Sequence, residues 1–151
     1  MSFVGRRDPW SPDDGTEGAI VTLARYARPD VVVMFPTARA LARDDKEETE
    51  SHAEMVRELL GEEMGIPRDR FRTFPIALSD PRDHEAILKF LRWTIPQILG
   101  TIGDETPYEL FVNLSSGTPQ MHAAWLVAGG AGLLPKARFY EVSRPLKPGD
   151  S

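Results

Sequence analysis

The residues best suited to chemistry fall in three short stretches. The first is Asn113-Leu114-Ser115-Ser116-Gly117-Thr118-Pro119-Gln120-Met121-His122, a set of small hydroxyl side chains around one glycine, directly after the apolar Phe111-Val112. Thr118 suits a helix N-cap, where its oxygen can accept from a backbone N–H that has no partner within the helix. Pro119 suits the first helical position, and Gly117 permits a tight turn and the close approach of a ligand. A strand, a turn and a helix in that order point free N–H groups and the positive end of the helix dipole outward, which is a ready site for phosphate or another anion. The second stretch, Gly5-Arg6-Arg7-Asp8-Pro9-Trp10, carries two guanidinium forks that match phosphate oxygens. Its indole can either stack on a nucleobase or close over the following helix. The third, Pro36 to Arg43, adds Arg39 and Arg43. Asn113 has two readings: a donor and acceptor for a base edge or ribose, or a brace for its own turn.

Other chemistries fit these residues poorly. No Lys-Ser/Thr pair follows the glycine, as a Walker A loop requires, and one glycine does not make a dinucleotide fingerprint. Ser115 and Ser116 lack the nucleophile elbow of a triad hydrolase. His52, His84 and His122 lie on three different predicted helices with no paired spacing for a metal. The chain contains no Cys, which excludes disulfides and thiolate ligands. No catalytic side chain, metal or cofactor is therefore expected. The net charge of −5 does not draw nucleic acid or anionic membrane, so no direct DNA contact is expected. An anion would have to be held by local positive groups, with remote charge screened beyond about 8 Å. No apolar run is long enough to span a bilayer and no signal peptide opens the chain, which reads as cytoplasmic.

The elements that must position these stretches alternate along the 151 residues. Ser2 to Gly5 reads as a first strand, and Thr16 to Ala27 as a helix with Ile20, Leu23 and Ala24 on one face. Val31 to Phe35 is an unbroken apolar run, as expected of a strand covered on both faces. Asp45 to Gly61 reads as an acidic helix turning Met55, Leu59 and Leu60 inward. Arg70 to Leu78 reads as a strand that Pro75 pushes to a sheet edge. Asp83 caps a long helix containing Trp93 and kinked at Pro96. Tyr108 to Leu114 is a fourth strand, the helix after Thr118 carries Trp125, and Ala137 to Val142 is a fifth strand. Both Trp93 and Trp125 are expected in the core.

This alternation predicts an α/β fold, a Rossmann-like, mainly parallel sheet of five to six strands with helices on both faces. With strand order 3-2-1-4-5, strands 1 and 4 are neighbours whose connections leave on opposite faces, and ligands bind at such a switch point. The Gly5–Trp10 and Asn113–Gln120 loops then meet there.

The Asn113–Met121 stretch resembles the strand-4 signature of CARF domains, the CRISPR-associated Rossmann-fold sensors. Phe3-Val4-Gly5 with its Arg- and Trp-bearing loop is similar to that family's other ligand motif. The resemblance implies a CARF-like sensor domain over residues 1–143 and a tail or linker over 144–151. It implies binding of a cyclic oligoadenylate, tetra-adenylate ahead of hexa-adenylate, across a homodimer in type III CRISPR antiviral defence. It places Gly5, Arg6, Trp10, Thr37, Asn113, Ser115, Ser116, Gly117, Thr118 and Gln120 around the ring, with Arg39 added as a further guanidinium. An effector module, C-terminal or separate, would be the partner. Two alternatives stand beside this: a metal-independent ring nuclease, and an RNA-end sensor similar to the N-terminal domain of the RNA-repair transcription regulator. On the sensor reading, Ser116→Asp or Arg6→Glu is expected to abolish nucleotide binding and leave the fold intact.

Overall fold

The computed structural model describes residues 1–39, 48–103 and 105–143. Five strands form one parallel sheet: β1 (Ser2–Phe3), β2 (Val32–Phe35), β3 (Phe71–Thr73), β4 (Phe111–Asn113) and β5 (Arg138–Tyr140). Their order across the sheet is β3-β2-β1-β4-β5, as expected, with every pair parallel. Four helices cross between them: α1 (Ala19–Ala27), α2 (Glu50–Met64), α3 (His84–Gly100) and α4 (Pro119–Gly130). Arg43 and the start of the predicted acidic helix lie outside the described residues, as does the tail from 144 on.

Period-two alternation in the central strands splits the apolar residues between two cores. Phe3, Val33, Phe35 and Val112 face α3 and α4, where they meet Ile87, Leu91, Ile95, Met121 and Trp125. Val4, Val32 and Met34 face α1 and α2, where they meet Ile20, Val21, Ala53, Val56 and Leu60. Both faces of β2 are covered, which is why its sequence is apolar without a break. Trp125 is fully buried, its ring 5.1 Å from that of Phe3 and 5.9 Å from that of Phe35.

Several expectations are corrected. The first helix starts at Ala19 instead of Thr16, because Trp10 and Glu17 form an antiparallel bridge and Ser11 N–H donates to Thr16 O at 2.8 Å. That small hairpin uses up the residues expected in the first turn. α2 ends at Gly65, whose φ of 68° only glycine adopts cheaply, instead of at Gly61. Its buried face is Ala53, Val56 and Leu60, so Met55 stands at 37% exposure. β3 is shorter than predicted, and Ile76 continues only as a single bridge to Thr37. Trp93 is 75% exposed, not core: α3 buries Ile87, Leu91, Thr94, Ile95 and Ile98, and Trp93 falls off that stripe. Asp83 caps α3 as expected, accepting from Ala86 N–H, and Pro96 lies inside the helix on an exposed position.

Candidate ligand cleft

β1 and β4 are neighbours at the centre of the sheet, and the loops leaving their carboxyl ends touch backbone to backbone. A Cβ added to Gly5 would lie 2.9 Å from the Gly117 nitrogen, so only glycine lets the two loops approach this closely. Gly117 itself has φ of 92°, a conformation that side chains disfavour, and a Cβ there would meet Met121 Sδ at 2.6 Å. We expect Gly5→Ala to cost about 1–3 kcal/mol, the range for forcing an extra methyl into a packed contact. Urea denaturation checks this, and an unchanged midpoint would mean that the loops part easily.

The two loops wall a cleft of about 900 Å³. Of the residues expected at a ligand, Gly5, Arg6, Thr37, Ser115, Ser116, Gly117 and Thr118 line it. Arg6 and Arg7 are exposed there, and neither forms an ion pair among the described residues. Thr118 is the N-cap of α4, with its hydroxyl accepting from Met121 N–H at 3.3 Å and donating to Pro81 O at 2.8 Å. Thr37 is buried, held by Thr49, whose hydroxyl accepts the Thr37 N–H at 2.7 Å.

Four expected residues are not part of the wall. Asn113 is 1% exposed and takes the second of its two readings: it braces the turn. Its Nδ2 donates to Ser2 Oγ at 3.1 Å and to Ser116 Oγ at 2.9 Å, and its Oδ1 accepts from Ser115 N–H at 2.8 Å. Trp10 projects at 46% exposure from the small hairpin. Arg39 turns toward the start of α2, where its backbone N–H donates to Glu50 and its side chain lies 3.9 Å from Glu48. Gln120 lies on the first turn of α4, outside the cleft, with its Oε1 buried and without a hydrogen-bond partner among the described residues.

Asp8 and Glu17, not among the expected ligand residues, also line the cleft. Glu17 is satisfied by Thr22 and Arg25, each at 2.7 Å. Asp8 is 2% exposed, and its carboxylate accepts from Gly5 N–H at 2.9 Å and from Ile20 N–H at 3.3 Å. Twelve residues upstream, it satisfies an N-terminal N–H of α1 that the N-cap Gly18 cannot. His52 Nδ1 lies 2.8 Å from the Asp8 carbonyl oxygen, which ties this loop to α2. Burial pushes the Asp8 carboxyl above its ordinary value, with the Gly5 and Ile20 N–H groups, the nearby Ser116 side chain and His52 opposing the shift. The folded chain therefore holds this proton more tightly than the unfolded chain. The ionised form costs stability at neutral pH, and that cost is relieved as pH falls through the raised pKa.

The Asn113 brace overturns one expected test. Ser116 is 5% exposed and its hydroxyl accepts from Asn113 Nδ2 at 2.9 Å, so Ser116→Asp would bury a carboxylate in that network and would not leave the fold intact.

Among the described residues, no cluster of three metal-ligating side chains occurs, and no helix is long and apolar enough to cross a membrane. No protein-family profile and no curated protein matches the sequence. Among solved structures the fold is similar to that of Enterococcus italicus Csm6 bound to cyclic hexa-2′-fluoro-hexa-dAMP. The TM-score is 0.69 at 23% identity, over 97% of this chain and 34% of that one. The chain thus spans about a third of that protein's length, and the likeness establishes a shared α/β Rossmann-like fold.

Proposed function

We propose that this chain is a sensor domain that binds a cyclic oligoadenylate in a type III CRISPR antiviral response. The observation that carries the reading is the convergence, at the β1/β4 switch point, of two arginines without an ion pair among the described residues, a capped helix N-terminus and a glycine-only seam. Backbone N–H groups, the dipole of α4 and the Arg6 and Arg7 guanidinium groups supply positive potential where a phosphate would sit. The two carboxylates in the cleft are engaged within the protein, so they compete little for those cations.

A solved structure of similar fold holds a cyclic hexa-adenylate analogue, which supports a ring-shaped nucleotide as the ligand class. One protomer presents one such cleft. A twofold axis beside α4 would join two clefts and give a symmetric ring two sets of arginines. An output module would then belong to another part of a longer chain or to a separate protein, and it would respond to a change in the geometry of the pair.

The test is a thermal-shift and calorimetric panel of cyclic tetra-adenylate, cyclic hexa-adenylate, linear hexa-adenylate and an RNA ending in a 2′,3′-cyclic phosphate. A ring in excess over its Kd should raise the melting temperature by mass action, with one ring bound per two chains. Preference for the 2′,3′-cyclic phosphate end would favour an RNA-end sensor instead. Linear products accumulating from an excess of ring would add a nuclease activity to the binding. No shift with any ring would overturn the proposal.

A further inference from the structure

We infer that Ser115 is a clasp between the cleft and the chain leaving β5. Its one hydroxyl holds the Val142 backbone and meets the ligand phosphate, so that occupancy of the cleft tightens Glu141–Ser143 onto β4. The observation lies in the β4–β5 ladder. In a parallel pair, every second residue of a strand bonds to the same neighbour. Arg138 N–H donates to Leu110 O at 2.8 Å, and the register pairs Asn113 with Tyr140. Leu114 N–H donates to Tyr140 O at 2.9 Å, which carries the ladder one residue past the end of β4. Val142 N–H is a further donor in that series, and Leu114 O is the acceptor the series assigns it. Val142 N–H donates instead to Ser115 Oγ, at 2.7 Å. A rung of the sheet has passed from the backbone to a side chain on the cleft wall.

Ser115 is itself anchored. Its N–H donates to Asn113 Oδ1 at 2.8 Å, and the Asn113 amide is fixed in turn by Ser2 and Ser116. A change at the hydroxyl therefore passes to Val142 instead of being absorbed by the loop. Among the described residues, the bond to Ser115 is the one backbone hydrogen bond that holds Glu141–Ser143.

A backbone N–H can only donate, so Oγ is an acceptor toward Val142 and its single hydrogen points elsewhere. Among the described residues that hydrogen has no acceptor. Ser115, Val142 and Ser143 all line the cleft, where a phosphate oxygen can take it. A hydroxyl that donates becomes a stronger acceptor, because hydrogen bonds in a chain polarise one another. Ligand oxygen, Ser115 hydroxyl and Val142 N–H then form one chain, and filling its first place strengthens its last.

The ligand half of this inference rests on the proposed function, whereas the bond between Ser115 and Val142 does not, and the experiment separates them. Amide exchange followed by NMR should find Val142 protected in the free protein. Ser115→Ala should speed Val142 exchange roughly fivefold to tenfold, the loss of one net hydrogen bond. Leu114, bonded to Tyr140 O, should keep its rate, and Ser115→Thr should restore the protection at Val142. Cyclic hexa-adenylate, cyclic tetra-adenylate and inorganic phosphate are then added in turn, with chloride at matched ionic strength as control. A bound probe should move the Val142 amide proton downfield and slow its exchange further. In Ser115→Ala the Gly117 amide should still report binding while Val142 stays unmoved, a split that a merely structural serine would not produce. Equal Val142 exchange with and without the Ser115 hydroxyl would overturn the inference. So would a probe that moves Gly117 and leaves Val142 untouched in the wild type, and so would silence of Val142 toward all three. A Val142 response to phosphate with neither ring bound would uphold the clasp and overturn the proposed function.

Discussion

Arg6→Glu is expected to lower affinity for a cyclic oligoadenylate by roughly 10²–10⁴-fold, with the unfolding midpoint unchanged. Each charge-assisted hydrogen bond to phosphate contributes about 1.5–3 kcal/mol, and a ring shared by two protomers would lose two of them together. Reversing the charge adds repulsion to that loss. The fold should be indifferent, because Arg6 is exposed and holds no ion pair among the described residues. Calorimetry of the variant beside a urea titration measures both quantities. The salt dependence gives a further check, since removing phosphate contacts should flatten the fall in affinity with rising salt. Wild-type affinity in Arg6→Glu would remove this loop from the site. Arg6 is a cleaner probe than Ser116, whose burial and bond with Asn113 would confound a binding defect with a folding one.

The largest effect on stability is expected at Trp125. Trp125→Ala should cost about 3–5 kcal/mol, the range for removing a large buried aromatic. A domain of this size is stable by only about 5–15 kcal/mol in all. The side chain is fully buried between β1, β2 and α4, touching the rings of Phe3 and Phe35. A cavity at that point would also loosen the helix whose N-terminus forms one wall of the cleft. Trp125→Phe should be far milder. The indole Nε1 is buried without a hydrogen-bond partner among the described residues, so phenylalanine removes an unsatisfied donor along with the lost volume. Denaturation with urea orders the two variants. Equal losses in both would show that the indole N–H has a partner after all.

The fold was largely legible in the residue pattern, because its signals are local. The unbroken Val32–Phe35 run, the Asp83 and Thr118 caps and the alternation of strand and helix each derive from a few neighbouring residues. From them, handedness and switch-point rules led to the strand order. What misled was phase. Trp93 and Met55 are as apolar as their neighbours, and only the helical angle relative to the sheet separates them from Leu91 and Val56.

The site divided along the same line. Glycines and hydroxyls at a turn announce themselves, and seven of the expected residues do meet at one cleft. The brace Asn113 gives its turn runs through Ser115 and Ser116 close by, and was one of its two readings, whereas the role of Asp8 depends on Ile20, 12 residues away. No spacing within the Asp8 loop encodes that partner. A capping carboxylate for α1 could have been sought, since Gly18 offers no side chain to its helix. That deficit was the one trace of Asp8 in the linear pattern.

The three tryptophans sit at three depths: Trp125 sealed in the interior, Trp10 half open beside the cleft, and Trp93 almost bare on α3. Their fluorescence should therefore divide by wavelength, with Trp125 emitting to the blue and Trp93 to the red. Quenching by iodide should strip the Trp93 signal first and leave Trp125 dark to the quencher until the chain unfolds. A nucleotide entering the cleft should dim Trp10 alone. The molecule thus carries its own three-channel optical gauge, one channel each for the core, the mouth of the cleft and the outer surface, with no label attached.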